Sequence, residues 1–410
     1  MELPSQAPAA AVVFQTMLAH GPLTRAEISR RTGLSTGAVT KATTPLLEDG
    51  WIVELGRPAG DHQGRPAILV GVRAERATFA GVKVTADELV GVLTDLTATP
   101  IATRRVALDS RDVASVVAAI AQLVKRLVSA SRSSRPAGVY GLGVTISGDV
   151  DRLTGTVRHS TFLNWHGVPL ARLVEEATAT PTVIENDVRA LTVAEQWFGA
   201  GAGVSSFALV TIGTGIGCGL SVDGQVIAGA RGVSGELGHL PIFGVDRICT
   251  CGNVGCVEAI ASTQAIVAQA RQATGAQRLS MADAVRLAHQ GDPAVRKVFA
   301  AAGHAIGLAI ASVANLIGPE RIIISGEGVA SYDLFAEQIS RTFAAQAFGA
   351  AAECQLIVRP LPFEEWARGA AAVATQQLVS PQRSARRTPR GQSERTDDRL
   401  VGAGSSRGHS

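Results

Sequence analysis

Long hydrophobic runs are missing from this chain. Nearly half of its 410 residues are apolar, yet no stretch reaches the ~18 to 20 uncharged apolar residues of a membrane span. The longest candidate, residues 113–128, is interrupted by Gln122, Lys125 and Arg126 and reads as an amphipathic helix. Nothing basic precedes the short apolar stretch 9–18, so no signal peptide is expected. A cytoplasmic protein without a membrane partner is the expectation. A charge excess is also missing. The formal +3 comes from residues 380–410, where Arg outnumbers Asp and Glu; the first 75 residues hold as many acidic as basic side chains. Bulk charge therefore gives no ground for nucleic-acid binding. Cysteine is sparse, five in all, and odd in number with one tight cluster, which fits a metal site in a reducing compartment better than a disulfide framework.

The length suggests two or three structural units. Residues 9–75 read as three helices and a hairpin. The first helix stops at Gly21-Pro22. Thr24, with Glu27 three residues on, predicts a capping box for the second, which ends at Gly33. Ser35 caps the third. Two β-rich runs, 51–55 and 67–72, flank a Gly/Pro-rich tip at 56–66. From residue 78 the pattern becomes a three-strand meander (79–84, 88–95, 101–108) and a helix (111–131). Alternating strands and helices follow, with long Ala-rich helices near 262–274 and 296–317. That alternation indicates an α/β fold. Residues 380–410 are rich in Arg, Ser, Gly and Pro, and disorder is expected there, with an inert, solvated tail as the simplest role.

Residues 23–35 carry the rhythm of a helix-turn-helix. Ala26, Ile28 and Leu34 are expected to pack inward, with Val39 and Leu46 on the next helix. Ser35, Thr36, Thr40 and Lys41 are the candidates to meet DNA, since the start of the second helix faces the major groove. Arg65 at the hairpin tip suits a narrow minor groove. A small bundle for protein contacts is the plainer alternative; the hairpin directly behind the motif favours a winged DNA-binding head. Pro45 removes a helical hydrogen bond and is expected to split the recognition helix after Lys41, with Thr44 capping a new turn.

The strongest local signal is Cys249-Thr-Cys251-Gly-Asn-Val-Gly-Cys256-Val-Glu258. Thiolates at this spacing on a Gly-rich turn can close around one tetrahedral zinc, with His239 as the fourth ligand. Four protein ligands leave no open position, so the zinc would be structural. Cys218 and Cys354 read as ordinary core residues.

Ile184-Glu-Asn-Asp187, Thr211-Ile-Gly-Thr-Gly-Ile-Gly217, Gly235-Glu-Leu-Gly-His239 and the cysteine motif occur in that order and spacing. Together they resemble the ROK family of repressors and sugar kinases, over residues 12–378. The resemblance implies an α/β, actin-like, two-lobed sugar-kinase fold behind an N-terminal winged helix-turn-helix. The divisions it implies are a head at 1–75, a first lobe at 76–195, and a second lobe at 196–379 with the zinc loop, whose final helix returns to the first lobe. It also implies a sugar held by Gly148, Thr161, Asn186, Asp187, Gly215, Glu236, His239 and Glu258. Those carboxylates and amides suit a polyhydroxyl ligand, and His239 can face sugar with one nitrogen and zinc with the other. In kinases of the family the Asp187 position is the general base.

One departure is pronounced. Family kinases carry an Asp-x-Gly-Gly-Thr phosphate turn on the first hairpin. Here Lys83 stands at the Asp, and Thr85-Ala86 replace the glycines. The second turn, 213–217, survives, while Glu327 in Ser325-Gly-Glu-Gly328 would face a phosphate poorly. The resemblance therefore implies a non-enzymatic, sugar-responsive transcriptional regulator, a repressor in carbohydrate metabolism that binds operator DNA as a homodimer or homotetramer. Its alternative is an active ATP-dependent sugar kinase with an appended DNA-binding domain. Aldohexoses, N-acetylhexosamines and xylose-type sugars all fit.

Overall fold

The computed structural model describes residues 8–56, 68–130, 138–242 and 244–379. It opens with α1 (Pro8–His20), β1 (Leu23–Thr24), α2 (Arg25–Thr32), α3 (Thr36–Glu48), β2 (Ile52–Glu54) and β3 (Leu69–Val72). The three strands form one antiparallel sheet in the order β1-β3-β2. Local chemistry fixes the helix ends. Thr24 and Glu27 make a reciprocal capping box, Gly33 closes α2 in the left-handed conformation, and the Ser35 hydroxyl accepts the Ala38 amide. Ile28, Val39 and Leu46 are buried and Leu34 is half-buried, but Ala26 is exposed, contrary to expectation: it lies on the solvent side of a helix only two turns long. The expected break at Pro45 does not occur. α3 runs unbroken to Glu48, the hydroxyls of Thr43 and Thr44 donate to the Thr40 carbonyl, and the Asp49 amide closes on the Pro45 carbonyl. Thr44 therefore caps no new turn. One lost bond in the last turns is outweighed by the burial of Ala42, Thr43 and Leu46.

The first lobe comprises β4 (Thr78–Val84), β5 (Glu88–Asp95), β6 (Pro100–Ala107), α4 (Val113–Ala130), β7 (Gly141–Ile146), β8 (Asp149–Asp151), β9 (Thr156–Ser160), β10 (Trp165–Val168), α5 (Leu170–Thr178) and β11 (Thr182–Asn186). Then α6 (Asp187–Phe198) leads to the second lobe: β12 (Phe207–Ile212), β13 (Ile216–Val222), β14 (Gln225–Val226), α7 (Glu258–Ala261), α8 (Thr263–Thr274), α9 (Met281–His289), α10 (Pro293–Ile317), β15 (Arg321–Ser325), α11 (Asp333–Gln346), β16 (Gln355–Val358) and α12 (Glu364–Val379). The two main sheets, β11-β7-β4-β5-β6 and β16-β15-β12-β13-β14, share one topology: an antiparallel meander extended by two parallel strands beside its first strand. This duplication is the two-lobed α/β fold the motifs implied.

Three strands β8–β10, helices α5, α9 and α11, and strand β16 were not anticipated from the sequence, and β13 starts at Ile216 rather than Gly219. α12 returns to the first lobe and packs on β4, β7 and α6. It sits so close that a Cβ at Gly81 would lie 1.9 Å from the Ala367 carbonyl oxygen, and one at Gly143 1.8 Å from that of Ala370. Two helices, α4 and α10, are long and apolar enough by composition to cross a membrane. Both instead bury apolar faces in the lobes, α4 with Ile120, Leu123 and Leu127 inward and Lys125 and Arg126 outward.

Candidate functional site: an interlobe cleft beneath a winged head

In the head, α3 presents Ser35, Thr36, Thr40 and Lys41 on one exposed surface, while Val39, Ala42 and Leu46 face the core. Arg25 ties α2 to the wing strand through Glu54 at 3.0 Å. The Arg25 Nε also donates to the Thr43 hydroxyl of the recognition helix at 3.4 Å. Arg65 and the hairpin tip lie outside the described residues.

His239, Cys249, Cys251 and Cys256 converge, with all ligand atoms within 4.8 Å of one another. Cys251 and Cys256 Sγ are 3.8 Å apart, and Cys249 Sγ is 3.7 Å from His239 Nδ1. Tetrahedral zinc with ordinary bond lengths would set such separations at about 3.5 to 3.8 Å. Burial pushes the Cys256 thiol up to about 12, with Cys251 and Cys249 adding to the shift, while a backbone hydrogen bond from Asn253 lowers that of Cys251. The residues fit a metal ion. Glycine makes the loop: a Cβ at Gly255, at positive φ, would lie 2.9 Å from the Val245 carbonyl. The other face of the ring, His239 Nε2, is 3.9 Å from Glu236.

In the cleft, Asp187 begins α6 and is buried. Its Oδ2 takes the Lys83 ammonium and the Ser147 hydroxyl, the latter at 2.6 Å, and its Oδ1 takes the Val188 amide at 2.9 Å. Burial alone would raise its pKa. The Lys83 charge and these hydrogen bonds outweigh burial and hold the carboxyl below the ordinary carboxylate range. Lys83 also touches Ser147 at 3.1 Å and lies 5.5 Å from the centre of the Trp366 ring. The expected general-base position is thus an ion pair with three of its roughly four lone-pair sites committed.

Asn186 caps α6 and donates to the Gly148 carbonyl at 3.1 Å. Gly148 is at φ 137, where a Cβ would lie 2.3 Å from the His159 carbonyl oxygen. Thr161 is exposed beside His159, at 3.1 Å. Across the cleft, Glu258 accepts the Ile216 amide at 3.0 Å and the Thr250 hydroxyl at 3.4 Å, joining the turn that holds Gly215 to the metal loop. Burial pushes the Glu236 carboxyl up, aided by Glu258 and Asp149 and opposed by His239 and Arg189. In the turn 213–217, Glu327 accepts the Thr214 amide at 2.8 Å and the Thr214 hydroxyl at 3.1 Å.

Sequence reasoning missed Ser147, Arg158 and Arg189. Arg189 pairs with buried Glu185 at 2.6 Å and reaches the Gly232 carbonyl in the opposite lobe; Arg158 reaches the Arg231 carbonyl. Glu185 lies near the end of strand β11 and Arg189 in the first turn of α6, so the pair forms across the strand-to-helix junction and carries no helix-period signal in the sequence.

The model of the ROK family matches residues 79–377, and that of a winged helix-turn-helix DNA-binding unit matches residues 13–53. The xylose repressor of Caldicellulosiruptor bescii is 26% identical over 353 residues, covering 82% of this chain and 88% of that protein. Among solved structures, a ROK family transcriptional regulator described as a homologue of the Escherichia coli MLC protein superposes with a TM-score of 0.78 at 26% identity, over 92% of this chain and 98% of its own. A ROK family glucokinase from Streptomyces griseus, in complex with glucose and AMPPNP, superposes at 0.64 and 26% identity over 73% of this chain and all of its own.

Proposed function

The chain belongs to the ROK family, and from that premise we propose that it is a sugar-responsive transcriptional repressor of carbohydrate-metabolism genes, working in the cytoplasm. The observation that carries the proposal is the pairing of a winged head with a sugar-kinase-like cleft in which the protein's own charges are engaged with one another, Lys83 on Asp187 and Glu327 on the Thr214 donors. A similar regulator structure spans nearly the whole chain, head included.

In this reading Gly148, Thr161, Asn186, Asp187, Gly215, Glu236, His239 and Glu258 recognise a sugar, as acceptors and donors to its hydroxyls. His239, Cys249, Cys251 and Cys256 hold a structural zinc, which would fix the loop and aim the His239 Nε2 edge at the cleft. Ser35, Thr36, Thr40 and Lys41 meet operator DNA in the major groove, with Arg65 reaching the minor groove. Two heads of an oligomer, dimer or tetramer, would occupy successive half-sites. Sugar shifts the population between arrangements of the heads, and does so only if it binds them unequally.

A duplex selected from a random pool by the protein, titrated with and without D-glucose, D-xylose and N-acetylglucosamine, tests this. A sugar-dependent change in affinity is the expected result. No response to a sugar that calorimetry shows to bind would overturn it. Phosphorylation of any of these sugars with ATP at an ordinary enzymatic rate would overturn the non-enzymatic part.

A further inference from the structure

Helix α6 joins the two ends of the molecule. Its cap Asn186 and first residue Asp187 lie in the cleft. Two to three turns on, Val193, Ala194 and Trp197 are 2%, 4% and 2% exposed, in one apolar core with Val13, Phe14 and Met17 of α1. From Asp187 to Trp197 the helix rises about 15 Å at ~1.5 Å per residue. α1 packs in turn on α2 and α3, and Val39 and Leu46 of α3 belong to the same core. Only one helix therefore stands between the cleft-side helix and the DNA-facing helix.

Both walls of the cleft act on α6. The first lobe does so through Asn186 and Asp187. The second does so through Arg189, in the first turn, which holds the Gly232 carbonyl in the loop that ends at Glu236. The helix has little room to bend or slide. A Cβ at Gly369 of α12 would lie 2.9 Å from the Ala190 backbone, so α6 and α12 meet backbone to backbone. A tightly packed contact of this kind passes a displacement on rather than absorbing it. A parallel series of edge-on aromatic pairs ties the head to the sheet: Phe14–Trp51 at 6.1 Å, Trp51–Tyr140 at 5.7 Å and Tyr140–Phe79 at 6.1 Å. Phe79 lies on β4, the strand that carries Lys83.

We propose that α6 is the element through which occupancy of the cleft repositions the winged head, the face formed by Val193, Ala194 and Trp197 against α1 being the point of transfer. This rests on the reading of the chain as a sugar-responsive regulator and supplies its route. Spatial continuity gives the path, and a coupling measurement gives the proof.

The full chain is compared with Val193→Ala and Trp197→Phe, which loosen the face without touching either ligand. Val298→Ala in α10, far from the face, controls for a general loss of packing. Sugar affinity is read by calorimetry with D-glucose, D-xylose and N-acetylglucosamine, and affinity for the selected duplex by fluorescence anisotropy. In the parent chain the active sugar changes duplex affinity by about tenfold, a usual size for coupling between sites. In Val193→Ala and Trp197→Phe the two separate affinities stay within about twofold of the parent, and the sugar-dependent ratio falls below about threefold. Val298→Ala keeps the full ratio. Retention of the ratio in both face variants, or an equal loss in Val298→Ala, overturns the route while leaving the regulator reading in place. A parent chain whose duplex affinity responds to no sugar that binds it overturns both.

Discussion

Lys83 and Asp187 form a buried ion pair in the cleft, side chains 6% and 10% exposed, although 104 residues separate them in sequence. The pair lowers the basicity of the carboxylate, because its charge is already shared with an ammonium. A proton acceptor must have a lone pair free toward the reacting hydroxyl. Here the ammonium and the Ser147 hydroxyl share Oδ2, and the Val188 amide takes Oδ1. What remains suits accepting one hydroxyl hydrogen of a bound ligand.

Removing the ammonium leaves a buried carboxylate uncompensated. Lys83→Met is expected to lower stability by about 3 to 5 kcal/mol near neutral pH. The sign of the pH dependence follows from the shift. In the parent, the Asp187 pKa is lowered on folding, so its stabilisation is present above the unfolded carboxylate value and is lost as pH falls through the folded one. In Lys83→Met, burial without the cation raises that pKa, so the deficit shrinks on acidification. Lys83→Met/Asp187→Asn recovers most of the loss. Urea unfolding between pH 5 and pH 8 reads all three, and a deficit in Lys83→Met that is flat with pH would contradict this account.

Glu327 makes a different prediction, about nucleotide. Its carboxylate holds the Thr214 amide and hydroxyl, the donors a phosphate would need. The parent chain is expected to show no thermal shift with ATP and magnesium. Glu327→Ala frees those donors and removes a repelling charge, so a weak, ATP-dependent rise in Tm is expected in that variant alone. Equal shifts in both chains would show that Glu327 does not guard the turn.

What was legible in the sequence was local. The capping box at Thr24, the Gly33 turn and the Ser35 cap each lie within four residues of their partners, and the metal ligands, His239 included, span 18 positions. Ion pairing across the fold was not legible. Lys83 reads as the loss of a phosphate turn; only strand register places it against Ser147 and Asp187. Glu327 meets Thr214 over 113 positions because β12 and β15 run parallel side by side. The break expected at Pro45 failed for a related reason: tertiary burial of the α3 core face outweighs one missing hydrogen bond.

The metal loop gives a stoichiometric prediction. The purified chain should carry about one zinc, and Cys256→Ser should lose most of it, since the remaining donors cannot close a tetrahedron. Because Thr250 in this loop bonds Glu258, and Glu258 bonds the Ile216 amide, the loss should also weaken sugar binding severalfold. Metal analysis with sugar calorimetry checks both. Full sugar affinity in a metal-free Cys256→Ser protein would separate the loop from the cleft.

The head can be tested through salt. Lys41 is exposed on α3, on the surface it shares with Ser35, Thr36 and Thr40. If its ammonium meets a phosphate, Lys41→Ala removes one released counterion, and the slope of log affinity against log salt should fall by about 0.9. The same variant should weaken specific and non-specific duplexes alike, because a phosphate contact carries no sequence information. Thr40→Ala, at a position suited to base edges, should instead narrow the gap between the two duplexes with little change in salt slope. Arg65→Ala should act mainly on sites with A·T-rich flanks, where a narrow minor groove concentrates negative potential. Ser35→Ala separates architecture from contact. Its hydroxyl caps α3 through the Ala38 amide, so its loss costs about 1 kcal/mol of helix stability, and weaker DNA binding there should accompany a lower Tm. Lys41→Ala should leave Tm unchanged, and an unaltered salt slope in that variant would remove Lys41 from the DNA interface.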